Sequence, residues 1–244
     1  MSISNKVFKN IINSIIISCF LLTINVDAQE SGFNLDINVG TSPTSPLKEF
    51  HTSLKEQVNF DNFKTTDNFY INYGFTVGFT DAKLHSTIFY TNKVSGAKSS
   101  VADFSGYIRL TNELKGHTFG YKYYLPIQSN PNGNLLAQFK ALATFSSFNI
   151  TSNTKVLGTT QSESLDFKST DLGVGAGILY EYPIGFLVLR AYLDLDIYYG
   201  GKLKLKENNP DGGFLLDENG NKLTTGWTGL TFGLGITVPF NSSK

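Results

Sequence analysis

Taking every second residue from Leu187 to Tyr198 splits the chain into two different lists. Leu187, Leu189, Ala191, Leu193, Leu195 and Ile197 are apolar, whereas Val188, Arg190, Tyr192, Asp194, Asp196 and Tyr198 hold every charge of the segment. A period of two marks a β-strand whose faces meet different surroundings, because successive side chains point to opposite sides of a sheet. Seven other segments separate in the same way. Phe33, Leu35, Ile37 and Val39 oppose Asn34, Asp36, Asn38 and Gly40; Phe69, Ile71, Tyr73, Phe75, Val77 and Phe79 oppose Tyr70, Asn72, Gly74, Thr76 and Gly78. A third segment starts at Leu84 and His85 and runs to Thr91, and a fourth covers 118–125. A fifth sets Leu135, Ala137, Phe139 and Ala141 against Leu136, Gln138, Lys140 and Leu142. The sixth sets Leu172, Val174, Ala176 and Ile178 against Gly173, Gly175 and Gly177, and the last sets Leu230, Phe232, Leu234, Ile236 and Val238 against Gly229, Thr231, Gly233, Gly235 and Thr237. Eight strands, an even number, suit an up-and-down antiparallel sheet closed on itself.

A phrase repeated three times supports the same architecture. GYKYYLPI at 120–127, GILYEYPI at 177–184 and GLGITVPF at 233–240 each alternate and then meet a proline, which has no N–H for a sheet ladder and suits a strand end. The three ends belong on one rim. The predicted fold is all-β, an eight-stranded antiparallel up-and-down transmembrane β-barrel.

Residues 1–28 read as a cleaved secretory signal peptide and 29–244 as the barrel domain. Lys6 and Lys9 precede an apolar run over 11–24, and Val26, Asp27 and Ala28 supply the small-residue pattern before Gln29. Cys19, the single cysteine, leaves with the signal, so no disulfide framework is expected. Removing Lys6, Lys9 and Asp27 from 20 basic and 20 acidic residues leaves 18 and 19, a balance with no basic stripe for nucleic acid. No later stretch is apolar for the length of a membrane helix.

A soluble barrel turns its apolar face inward, and a membrane barrel turns it to lipid. Two features favour lipid. Aromatic residues gather near the strand ends, as in an interfacial girdle: Phe79, Tyr123, Tyr182 and Phe240 towards the proline rim, and Phe69, Phe148, Tyr199 and Trp227 towards the other. Connections are also unequal, with short turns at 81–83, 128–134 and 183–185 against long segments at 42–67, 95–116, 152–168 and 202–225. Short periplasmic turns and long extracellular loops characterise outer-membrane barrels.

On these strands, loops and the terminal aromatic Phe240, the chain resembles the small eight-stranded outer-membrane β-barrel proteins, the OmpA-barrel and OmpX-like group, and more narrowly the Bacteroidetes-type outer membrane protein beta-barrel domain. The resemblance spans the mature chain and rests on no short motif. It implies residence in the outer membrane of a Gram-negative bacterium, contact with outer-membrane lipid and lipopolysaccharide, and transient handling by the barrel-insertion machinery. The four residues after Phe240 are too few for the peptidoglycan-binding domain of two-domain members.

Eight strands enclose room for side chains only. Asp36, Lys122, Lys140, Glu181 and Arg190 fall near the proline rim and are expected to form one paired network. Asp194 and Asp196 lie higher, level with Lys93. Burying one such charge alone costs several kcal/mol, so pairing is expected. The inward glycines of the sixth and eighth segments read as room for large neighbours such as Tyr124, Tyr192 and Tyr198. An enzyme is not expected: His85 lies at the periplasmic rim, His117 lacks a partnered nucleophile and His51 belongs to a loop. In the first long loop, Ser45 and Pro46 start a helix whose face Leu47, Phe50, Leu54 and Val58 either lids the mouth or meets a partner. The segment 209–213 and the pair Asn219 and Gly220 are turn signals, and 217–221 lacks the spacing of a calcium loop, so no metal or cofactor is expected. The expected function is non-enzymatic display of loops by a monomer whose extracellular partner the sequence does not name. A narrow gated channel is the alternative, and a lipid-modifying enzyme stands third.

Overall fold

The computed structural model describes residues 31–41, 46–58, 63–130, 132–206 and 213–240. The expected signal segment, Ser45, the turn at 209–212 and the four C-terminal residues lie outside them. Eight strands pair in sequence: β1 (Gly32–Thr41), β3 (Ile71–Asp81), β4 (Ser86–Asp103), β5 (Gly106–Asn130), β6 (Gly133–Val156), β7 (Thr159–Ile184), β8 (Leu187–Gly200) and β10 (Gly229–Pro239). Each neighbour is antiparallel, and β1 also pairs with β10, so that Gly32 faces Thr80 on one side and Pro239 on the other. The eight strands form a closed ring. Two short strands lie outside it: β2 (Lys64–Asn68) pairs with the outer part of β4, and β9 (Lys204–Leu205) pairs with β7.

The period-two pattern sets which face points where. Along β1, Phe33, Leu35, Ile37 and Val39 are exposed while Asn34, Asp36 and Asn38 are buried. Along β8, Leu193 is 45% exposed and Arg190 only 2%. Polarity is therefore inverted relative to a water-soluble sheet, with apolar side chains outside and charges inside.

Three expectations are corrected. The segments 95–116 and 152–168 are strands, since β4 and β5 stay in register to Asp103 and Gly106, and β6 and β7 to Val156 and Thr159. Their ladders outlast their hydrophobic alternation. The prolines do not all end strands either: β5 continues past Pro126 to Asn130 through a register shift, an irregularity that needs no N–H from the proline. Leu84 and His85 belong to a turn and not to β4; Asp81 Oδ1 accepts the Lys83 and Leu84 amides there, and His85 takes φ 47°.

Between β1 and β2 lies α1 (Pro46–Val58), as the Pro46 signal and the apolar stripe predict. Leu47 and His51, one turn apart, are fully buried, while Phe50 and Leu54 are half-buried. The Val58 side chain lies outside the described set.

Candidate functional site: the filled interior and its outer plug

Three layers fill the ring. In the lowest, Arg190 is the cation. Its Nη1 lies 3.8 Å from Asp36 Oδ1 and its Nε 3.5 Å from Glu181 Oε1, while Nη2 donates to the Tyr124 hydroxyl at 3.0 Å. Tyr124 in turn donates to Thr87 Oγ1 at 3.0 Å. Nearby, Asn34 donates to Thr80 Oγ1 at 2.6 Å and accepts from Thr237 at 2.7 Å, tying β1 to both of its neighbours. Leu136, Leu179, Tyr124 and Tyr192 pack among these groups and keep water from them.

In the middle layer Lys140 is the hub, with Nζ 2.8 Å from Asp194 Oδ2 and 2.5 Å from Asp196 Oδ1. Gln138 Nε2 donates to the other oxygen of Asp194. Lys122 faces rings instead of a carboxylate, with Nζ 4.9 Å from the Phe89 centroid and 4.6 Å from that of Tyr192. A cavity of about 40 Å³ opens here beside Lys93, Lys122 and Lys140, enough for one or a few waters and not for a solute.

Above it, Lys93 donates to the Tyr198 hydroxyl at 3.0 Å and lies 4.2 Å from the Trp227 ring. Trp227 Nε1 donates to Ser146 Oγ at 2.9 Å. Buried apolar residues then close the mouth: Leu47 from α1, Phe69 from the bend between β2 and β3, Ala97, Leu114, Phe148 and Phe167 from the sheet, and Leu203, Leu223 and Trp227 from the last long segment. In that segment the Leu203 amide donates to Leu223 O and the Leu215 amide to Leu203 O, so the chain folds back across the opening as small paired strands. Asp217 accepts the amides of Asn219 and Asn221, so 217–221 is an Asx turn.

The structure thus places all eight sequence-selected charges inside, in groups that differ from the expected ones. Counting residues from the rim put Lys122 and Lys140 with Arg190. Register does not: Asp36, Gly235, Arg190 and Glu181 are successive cross-strand neighbours, whereas Lys122, Lys140, Gly175 and Asp196 form another row. Strands in a closed sheet are tilted and staggered, so equal counts along them do not give equal depths. Lys93, expected beside Asp194 and Asp196, instead meets Tyr198 and Trp227.

The outer half of the aromatic girdle is corrected too. Phe69, Phe148 and Trp227 are at most 4% exposed and belong to the plug. Phe148 shares the parity of Thr144 and Ser146 on β6 and so points inward. Tyr199 does face outward, and the outward rings near that level are Tyr73, Tyr90, Phe119 and Phe145. On the proline rim Phe79, Tyr123, Tyr182 and Phe240 point outward, Tyr123 being half-buried; Phe33 packs against Phe79 and Phe240 at centroid distances of 6.0 and 5.0 Å.

His51 was missed as a packing residue. Its Nε2 pairs with Ser99 Oγ at 2.8 Å and its Nδ1 with the Asn112 amide at 2.9 Å, fastening α1 to the inner faces of β4 and β5. Burial, helped by Lys55, lowers its pKa to about 4, so the ring makes both bonds in its neutral form at neutral pH. The signal was available, since His51 sits four residues after Leu47 on the stripe's flank.

The class defined here is a closed ring of eight antiparallel strands with a polar, side-chain-filled interior and an apolar exterior. No protein-family model and no curated protein matches the chain. Among solved structures it is similar to the crystal structure of neisserial surface protein A, with 13% identity over 87% of this chain and 99% of that one and a TM-score of 0.28. A TM-score of that size leaves the strand pairing of this chain to define its architecture.

Proposed function

We propose that this chain is a non-enzymatic integral outer-membrane β-barrel that displays its outer segments for binding or envelope support. The carrying observation is the inverted polarity: an outer face of exposed Leu, Ile, Val and Phe around a core of buried charge. In water such a face is an aggregation liability, and in hydrocarbon it is the stable arrangement. Closure of the sheet supports the same reading, because it leaves no ring strand with unpaired backbone groups in lipid. Export through a cleaved signal peptide, residence in the outer membrane of a Gram-negative bacterium, lipopolysaccharide as neighbour, insertion by the barrel-assembly machinery and a monomeric state complete the proposal.

The interior then works as a plug. Two ion-paired layers and the apolar mouth fill the ring around a cavity of about 40 Å³, and buried paired charges exchange partners at high cost. Display falls to the sheet of β4 to β7 that rises beyond the ring and to the α1 lid. The test is single-channel recording on refolded protein in a planar bilayer. The expected record is a stable bilayer with no discrete openings, and ion-selective openings would instead support a narrow gated channel.

A further inference from the structure

We propose that the joined tips of the β4/β5 and β6/β7 hairpins form a docking wedge that enters the interface of a second lipid bilayer facing the outer side. The inference rests on the membrane reading above and names the chemistry that the displayed sheet meets.

Leu157 occupies a place that its own backbone disfavours. Val156 pairs with Thr159, so Leu157 and Gly158 form a two-residue hairpin loop, with φ 48° and 87°. Positive φ at both positions suits Asn followed by Gly and crowds the Cβ of Leu. Phe69 takes a similar φ of 52° but is 2% exposed, its ring held in the plug. Leu157 has no such burial: it is 87% exposed, and nothing lies within 4 Å of a Cβ at Gly158 beside it. An exposed apolar side chain on a disfavoured backbone adds nothing to folding, and such outliers point to contacts outside the chain.

Phe104 stands beside it. In the loop between β4 and β5 it is fully exposed, and the Leu157 amide donates to Ser105 O at 3.0 Å, which fastens the two tips to each other. Outward from the cross-strand row Ser100, Arg109, Asn153 and Ser162, residues 100–109 and 153–162 carry three charges, those of Asp103, Arg109 and Lys155. These tips suit a bilayer. They are convex, and fluid hydrocarbon closes around a projecting side chain where a protein partner would need a cavity made for two. Their turn amides are already satisfied, because Asp103 Oδ1 accepts the Ser105 and Gly106 amides at 2.8 and 3.1 Å. Shallow insertion therefore strands none of these donors. The polarity also runs in interfacial order, with Phe104 and Leu157 outermost, then the Tyr107 ring, then Lys155 and Arg109, whose stems lie along apolar surface while their charges stay with headgroups. Distance makes the bilayer a second one. Phe119 in the outward apolar belt and Gly106 are thirteen residues apart on β5, about 40 Å along the strand before tilt shortens it, against a headgroup layer of about 5 to 8 Å on each side of a bilayer.

The test incorporates the refolded chain, carrying Phe104→Trp, in phosphatidylcholine nanodiscs and adds vesicles of phosphatidylcholine with a minority of phosphatidylglycerol, made with brominated acyl chains that quench tryptophan on contact. The introduced indole is expected to shift to the blue and to be quenched, while Trp227, the single native tryptophan, is buried in the plug and stays unquenched. Adding Leu157→Asn is expected to weaken vesicle binding by about tenfold or more, the factor that burial of one Leu side chain represents. The urea midpoint of the same variant is expected to hold or rise, because Asn tolerates the turn. R109Q/K155Q is expected to weaken binding by about fivefold or more, the scale of one cation's attraction to an anionic surface. An unquenched indole on inserted protein, or binding that survives Leu157→Asn, overturns the wedge. A midpoint that falls with Leu157→Asn overturns it too, since Leu157 would then serve the fold. Failure of the native chain to enter nanodiscs overturns the membrane reading on which the wedge rests.

Discussion

Replacing Arg190 by Ala is expected to destabilise the folded protein by about 3 to 5 kcal/mol, the cost of stranding a buried charge by deleting its partner. Two carboxylates lie against this guanidinium. It is the cation within 4.0 Å of both Asp36 and Glu181, and all three residues are at most 4% exposed. Neither Asp36 oxygen accepts a hydrogen bond from a described residue, so its carboxylate relies on charge attraction. The substitution also removes the 3.0 Å bond that orients Tyr124. Urea unfolding of refolded protein in detergent micelles reads the loss. Adding Asp36→Asn and Glu181→Gln to Arg190→Ala is expected to recover most of it, because the penalty belongs to the uncompensated charges. A shift below about 1 kcal/mol for the single variant would mean that the pocket is wet and the network unimportant.

The second large effect is expected at Gly177. A Cβ there would meet the Asp194 carboxylate and the backbone oxygen of Leu193, with Asp194 Cα at 2.9 Å. A side chain can rotate away, but the neighbouring strand's carbonyl cannot without breaking the ladder. Gly177→Val is therefore expected to cost about 3 kcal/mol or more, at or beyond the upper end of overpacking penalties, and to lower the yield of folded protein. Gly213→Val makes the contrast: nothing lies within 4 Å of a Cβ at Gly213, and its unfolding midpoint is expected to stay put. Equal behaviour of the two variants would contradict the packed interior.

How much of this was legible depends on which physical rule each residue obeys. The faces of β1, β3, β6, β7, β8 and β10 were readable because one face must be apolar and the other polar, and a period of two records that directly. Asp36, Arg190 and Asp196 could be placed inside on parity alone. Their partners could not, since pairing depends on the stagger between strands, which no single strand's sequence records: Lys140 meets Asp194 through the offset of β6, β7 and β8. The outward continuation of β4 to β7 was hidden for a related reason. Beyond Val94 and Phe145 the outward face turns largely polar and apolar residues such as Leu114, Phe148 and Phe167 move to the inner face, so the alternation reverses while backbone pairing continues to Asp103 and Val156. Phe148 and Trp227 were misplaced because closeness to a rim was given more weight than parity. His51 escaped because only its apolar neighbours on α1 were counted as the buried stripe.

The most direct test of the central claim, that the apolar face meets lipid and the charged face is enclosed, is a nitroxide scan of β8. Single cysteines replace Leu189 through Ile197 in turn, and Gly213 as an exposed reference, with Cys19 changed to Ser, and each labelled protein is reconstituted in vesicles for collisions with oxygen, which concentrates in lipid, and with a water-soluble nickel chelate. The account predicts high oxygen and low nickel accessibility at Leu189, Ala191, Leu193, Leu195 and Ile197, and low accessibility to both at Arg190, Tyr192, Asp194 and Asp196 in every variant that folds. Nickel collisions at Leu193 as frequent as at Gly213 would place the apolar face in water and contradict it.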